Sequence, residues 1–215
     1  ETYNQHRLND INETNVKLVC THCGLDVGED GKTHQCLDYV GAMRNLYGFK
    51  IIIPADPNQT DRAVRYLSRE PGNFAVAMGR SKLRIITDEK GQPLFAGDYR
   101  FEYGKADIIR KGEDATVIAM GTMVGYCLKA VEELKAGGLS VGLIGMSCPK
   151  DPDIEAIKAA AETGIIVTCE DHNVWTGLGA SVAEVIALEG IQCKLEMLGV
   201  RRYASSGTPE DLYAE

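Results

Sequence analysis

The sequence predicts an α/β protein made of two three-layer α/β/α domains, and three observations carry that expectation. Short β-rich apolar runs alternate with stretches of helical period, the pattern of βαβ units around a parallel sheet buried on both faces. The alternation comes in two blocks separated by an aperiodic, turn-rich stretch. Of the 215 residues, 44% are hydrophobic and 25% charged, which suffices for real cores and lies far from the composition of a disordered chain. The length itself accommodates one or two domains.

The first block, 1–81, begins with a strand at 17–20, an unbroken apolar run after Lys17. A glycine-rich loop over 22–32 leads into a helix at about 35–46 and a strand at 49–53 that Pro54 and Asp56 close. A helix at about 58–68 and a strand at 74–78 complete it. Between 82 and 112 the periodicity fails, and Asp88, Gly91, Pro93, Gly97 and Gly104 supply turn chemistry, so this stretch reads as the linker. The second block, 113–215, restarts with a strand at 115–119 and a helix at 122–135 ended by Gly137-Gly138. It continues with a strand at 140–144, a helix at 153–162, a strand at 165–169, a helix at 178–188 and a strand at 192–197. Right-handed crossovers place these strands in one mostly parallel sheet. A fresh helical start at 208–213 runs up to Glu215, and Glu1 is not a methionine, so the chain reads as a fragment of something longer.

With 23 Lys and Arg against 31 Asp and Glu, the net charge of −8 disfavours nucleic acid and anionic membranes as partners, and any phosphate must be held locally. No apolar run approaches the ~18 residues that would span a bilayer, and no secretory signal opens the chain; the expected location is the cytoplasm. Seven cysteines, an odd number and mostly in or beside apolar runs, suit reduced buried thiols rather than a disulfide scaffold.

The densest chemistry lies in the loop after the first strand, from Thr21 to Gln35, where two histidines and three carboxylates sit among Gly24, Gly28 and Gly31. Those glycines permit positive φ and a tight fold. Asp30 and His34, four apart, can converge on one small polar ligand: a carboxylate accepts from hydroxyls, and an imidazole donates or exchanges a proton near neutrality. The alternative is a capped turn, with Thr33 capping the next helix and Glu29 and Asp30 merely solvated. A zinc reading competes, since Cys20, Cys23, His34 and Cys36 are zinc-ligand types, but Cys20 belongs to the packing of the strand. Arg80, Lys82 and Arg84 form a local positive strip after the strand 74–78, and Arg80 stands next to the strand end, suited to a phosphate. Lys82 and Arg84 also suit a solvated edge. Glu170-Asp171-His172 with Gly177-Leu178-Gly179 does not match the dinucleotide-binding spacing, and His172 is expected to have a structural or interface role. Phosphate-loop, nucleophile-elbow and zinc-protease signatures are absent from the sequence, as is a metal-and-pyrophosphate run.

The run Thr21-His22 through Gly28-Glu29-Asp30-Gly31 and Thr33-His34-Gln35 closely resembles the pyrimidine-domain loop of transketolases. Pro54-Ala55-Asp56-Pro57-Asn58 resembles a segment after the next strand of that family. Gly79-Arg80 falls where its substrate-phosphate arginine stands, and Glu170-Asp171-His172 with Gly177-Leu178-Gly179 looks like its carboxyl-terminal domain. The resemblance implies a partial pyrimidine-binding fold followed by a transketolase carboxyl-terminal domain. It implies thiamine-diphosphate-dependent transfer of a two-carbon ketol unit between sugar phosphates, as in the pentose phosphate pathway. It further implies that His34 and Asp30 contact the two-carbon unit, and that His22 and Arg80 bind the sugar phosphate.

The cofactor, with its Mg²⁺ or Ca²⁺, takes most of its contacts in this family from regions or chains outside this span. No cofactor or metal ligand is therefore assigned within it, and the span by itself is expected to be inactive. A homodimer or an amino-terminal transketolase subunit is the implied partner. Cys23-Gly24-Leu25-Asp26 replaces the family's Asp-Ser-Ile-Gly, and Lys32 its usual proline; both bear on acceptor preference. Deoxyxylulose phosphate synthase shares part of the loop but usually carries Asp-Arg where Thr21-His22 stands. The β subunits of 2-oxo acid dehydrogenases lack the Thr33-His34-Gln35 signature. A non-catalytic assembly subunit of a split enzyme is the alternative of a different class, and it would not require Asp30, His34 and Arg80 together.

Overall fold

In the computed structural model, which describes residues 2–214, the chain forms two α/β halves with one sheet each. The chain ends Glu1 and Glu215, named above in reading the chain as a fragment, lie outside the described residues. The first half comprises α1 (Tyr3–Ile11), β1 (Lys17–Cys20), α2 (Tyr39–Arg44), β2 (Phe49–Ile52), α3 (Pro57–Leu67) and β3 (Asn73–Ala77). Its strands run parallel in the order β1-β3-β2, with Cys20 opposite Ala77 and Ile52 opposite Val76. β3, the central strand, is buried at every position, which is why its sequence is an apolar run rather than an alternation.

Helix α3 starts where the sequence says it should. Asp56, in extended conformation, accepts the Gln59 N–H at 2.8 Å, and Pro57 occupies the first turn, where its missing N–H costs nothing. The other Asp56 oxygen accepts the Ile86 N–H at 2.9 Å and so ties the connecting segment to the helix start. The expected helix 35–46 is shorter, only Tyr39–Arg44. The residues ahead of it spend their backbone groups on loop bonds: Gln35 N–H to Gly31 C=O at 3.2 Å, Gly24 N–H to Cys36 C=O at 3.1 Å, and Asn173 N–H to Leu37 C=O at 2.9 Å. Helix α1 has no counterpart among the expected elements; it is largely exposed and held by contacts such as Asp10 Oδ1 with the Gly48 N–H at 2.7 Å.

The second half comprises β4 (Asp107–Arg110), β5 (Ala115–Ala119), α4 (Met123–Ala136), β6 (Val141–Gly145), α5 (Ile154–Ala161), β7 (Ile165–Asn173), α6 (Leu178–Leu188), β8 (Lys194–Val200) and α7 (Pro209–Ala214). The order is β4-β6-β5-β7-β8, parallel except for β4, which pairs antiparallel with β6. β4 lies inside the stretch 82–112 that reads as linker. It is four residues long and its register shifts between Ile108 and Arg110, too little pattern to stand out. β7 runs on past the expected end at Cys169, carrying Glu170, Asp171 and His172 buried within it.

The two halves share a core. Ile51, Ile53, Ala75 and Ala77 of the first join one cluster with Ile118, Met120, Ile144 and Met146 of the second, and with Ile157, Val182 and Val185 from α5 and α6. Each Ile, Val and Met among them contributes about 1.5–3 kcal/mol through burial. On the other face of the second sheet, Val124, Cys127 and Val131 of α4 pack with Ile86 and Phe95 of the connecting segment. All expected strands run so that the loops after β1 and β3 meet at one sheet margin, the place where parallel sheets bind ligands.

Candidate active site

The loop from Thr21 to Gln35 leaves β1 and turns at once. His22 adopts φ 61, a left-handed conformation that costs a non-glycine residue roughly 1–2 kcal/mol, and Cys23 then donates its N–H to Met78 C=O at 3.1 Å. Residues Leu25–Asp30 form two 3₁₀ turns broken at Gly28, where φ 67 and ψ −119 are open to glycine but not to a side chain. Gly31 then carries a tight turn, closed by the His34 N–H on Gly31 C=O at 2.9 Å.

Asp30 and His34 flank this turn and are both exposed. The Asp30 carboxylate has no protein hydrogen bond among the described residues. His34 uses Nδ1 with the Thr33 hydroxyl at 3.0 Å, which leaves Nε2 open. His22 does the same with Thr21 at 2.9 Å. A neighbouring hydroxyl on one ring nitrogen orients each imidazole, while its far nitrogen has no protein partner among the described residues.

Arg80, after β3, is brought to the same loop: Nη1 donates to Val27 C=O and to Glu29 Oε2, both at 2.9 Å. Its remaining N–H groups carry no protein partner among the described residues, and its side chain is 40% exposed, so it can still bind an anion. Of the positive strip, only Arg80 engages the loop. The structure therefore brings Arg80 together with the Asp30-bearing loop, and sets His22 at the adjacent strand end.

The zinc reading finds no support: among the described residues no group of three His, Cys, Asp or Glu side chains is arranged to hold a metal ion. Burial raises the pKa of the Cys20, Cys23 and Cys36 thiols, that of Cys23 to about 12. An exposed carboxylate, two imidazoles with open Nε2 atoms and a guanidinium can bind a hydroxylated or anionic ligand.

Sequence reasoning missed several residues that shape the site. Asp26, 1% exposed, accepts the Ser81 N–H at 2.5 Å and lies against Gly79, where a Cβ would sit 2.4 Å from its oxygen; it joins the loop to the Arg80 segment. The only signal for it was its replacement of the glycine usual in the resembled loop. Glu29 as the partner of Arg80 had no signal at all, since the two stand 51 positions apart.

Glu170 was visible but its task was not. Its carboxylate accepts the Leu178 and Gly179 N–H groups, each at 2.8 Å, at the start of α6. Gly177 is required there, because a Cβ would lie 1.7 Å from Glu170 Oε2. Burial pushes the Glu170 carboxyl up to about 7 against the pull of those two donors. His172 is buried as expected of a structural residue, with Nδ1 3.0 Å from Asp171 Oδ1 and its ring edge-on to Tyr39 at 5.1 Å. Burial disfavours its charged form, but the Asp171 and Glu170 carboxylates outweigh that and raise its pKa.

Residues 2–85 match the family described as transketolase, pyrimidine binding domain, and residues 104–215 the family described as transketolase, C-terminal domain. A protein of Methanocaldococcus jannaschii called putative transketolase C-terminal section is 37% identical over 92% of this chain and 60% of its own length. An apulose-4-phosphate transketolase subunit of Phocaeicola vulgatus is 34% identical over 81% of this chain and 54% of its own. A solved structure titled split gene transketolase, inactive beta4 tetramer, superimposes with TM-score 0.81 at 30% identity, covering 95% of this chain and 62% of that one. The chain thus spans little more than half the length of the curated relatives it matches.

Proposed function

Because the chain belongs to the transketolase family, we propose that it is the carboxyl-terminal part of an enzyme transferring a two-carbon ketol unit from a ketose phosphate to an aldose phosphate. It does so in an assembly whose other chain or segment completes the cofactor site. Thiamine diphosphate, the cofactor used generally in this family, supplies when bound the electron sink for breaking and remaking the carbon–carbon bond. Asp30 accepts hydrogen bonds from sugar hydroxyls, which fixes the orientation of the two-carbon unit. His34 presents Nε2 to the carbonyl or hydroxyl oxygen, where it holds or moves a proton. Arg80 and His22 bind the phosphate farther out, Arg80 as a fork of N–H donors.

The observation that carries this reading is that an unpartnered carboxylate and an imidazole with an open Nε2 stand at the two ends of one glycine turn, on a loop clasped by Arg80. Relatives named as a C-terminal section, as one subunit of a transketolase and as a split-gene enzyme support the partner being a separate amino-terminal chain. The test is to combine the chain with an amino-terminal partner, thiamine diphosphate and Mg²⁺, and to assay ketol transfer. Turnover is expected, and His34→Ala should lower it by about 10²-fold or more with circular dichroism unchanged. No turnover in a verified, folded complex would favour the non-catalytic assembly role instead.

A further inference from the structure

The substrate loop is held by many residues outside it. Its 3₁₀ turns are broken at Gly28, and Gly24, Gly28 and Gly31 sit at positive φ (79, 67 and 77). Short helical turns of this kind are marginal unless something outside them supplies packing.

Part of that support comes from Arg80 and from the end of β7, where Asp171 fills the space beside Gly24 and the Asn173 N–H reaches Leu37 C=O. The remainder comes from far away in sequence. Gln35, beside His34 and 5% exposed, donates Nε2 to Ser205 C=O at 2.9 Å across 170 positions. Ser206 Oγ donates to Glu29 C=O, the carbonyl just before Asp30. Pro209 closes on Gly28, where a Cβ would meet its ring at 3.3 Å, and Ser206 closes on Gly31 at the same distance. Leu25 of the loop and Leu37 just beyond it bury themselves with Ala204 and Leu212 as a separate small core. The far end is moored in turn: Tyr213 packs its ring on Tyr126 at 4.9 Å and brings its hydroxyl within 3.5 Å of Asp171.

We infer that the segment 204–213 is a strap that sets the position of the substrate loop, with Gln35 and Ser206 as positioning residues acting through His34 and Asp30. The two hydrogen bonds attach on either side of the Asp30–His34 turn, so the strap holds the turn at both ends. Slack in either bond lets that turn drift, and a drift of about 1 Å in a reacting group is enough to cost up to 10²-fold in rate. The catalytic consequence rests on the ketol-transfer reading; the mechanical restraint does not.

The experiment therefore has two readouts. In the full chain, Gln35→Ala and Ser206→Ala are each compared with the parent by amide hydrogen exchange. Loss of one net hydrogen bond of ~1 kcal/mol predicts roughly fivefold faster exchange across 25–36, with β3, β5 and β7 unchanged. Loop exchange equal to the parent's in a folded variant overturns the strap. In the assembly with an amino-terminal partner, Gln35→Ala should lower kcat about tenfold, and His34→Ala/Gln35→Ala should fall no further than His34→Ala alone. Full additivity of the two losses overturns the positioning role. A parent assembly without turnover defeats the ketol-transfer reading and leaves the exchange result to judge the strap.

Discussion

Replacing Glu170 by glutamine should remove a specific part of the pH dependence of stability. The carboxyl is 3% exposed, and burial raises its pKa from an ordinary 4.5 to about 7 in the folded chain. Between those values the native state keeps a proton that the unfolded chain has released. The unfolded state then binds fewer protons, and stability falls as pH rises. Below about 4.5 the contribution is fully present; above about 7 it is gone. A displacement of about two and a half units at ~1.36 kcal/mol each amounts to on the order of 3 kcal/mol. Urea unfolding of parent and Glu170→Gln at pH 4.5, 6 and 8 measures it. The parent should lose about 3 kcal/mol more than the variant across that range. Asp107, raised by burial to about 6, adds a slope of the same sign to both proteins and cancels in the difference. His172 keeps its Asp171 partner in the variant but loses the Glu170 carboxylate that helps raise its pKa, which flattens the variant's slope and so widens the difference in the same direction. A difference between the two proteins that stays constant with pH would show that the buried carboxyl does not carry the shifted proton.

Three further outcomes follow from the same geometry. Gly177→Ala places a Cβ 1.7 Å from Glu170 Oε2 and must drive the carboxylate off two N–H groups, so a loss of about 3 kcal/mol is expected in urea unfolding, and a loss under 1 would contradict the packing. Asp56→Ala removes the α3 cap and strands the buried Ile86 N–H; about 2–4 kcal/mol should be lost, with the first protease cuts appearing near residue 86. Arg80→Met breaks a pair whose side chains are 40% and 61% exposed, so stability should change by less than about 1 kcal/mol. In the assembled enzyme the same change should raise KM for a sugar phosphate at least tenfold, and an unaltered KM would remove Arg80 from the phosphate site.

Much of the site was legible because its chemistry is local. Asp30, His34 and the single Gly31 between them lie within one short run, and a glycine-pivoted loop after an apolar strand announces itself by composition. Asp56 with Pro57 marked a helix start for the same reason. What escaped was every interaction whose two halves are distant: Glu29 with Arg80, Gln35 with Ser205, Glu170 with the start of α6. The charged run Glu170-Asp171-His172 resembles a strand end, and only the neighbouring β8 and α6 make it a buried continuation of β7.

From its order of apolar runs and turns alone, this chain was bound to be two parallel α/β halves with a polar loop at a sheet margin, since burial on both faces of a strand writes itself into consecutive residues. Tertiary contact alone decided where that loop stands. The strap from 204–213, the end of β7 and Arg80 hold it across separations that no sequence period records.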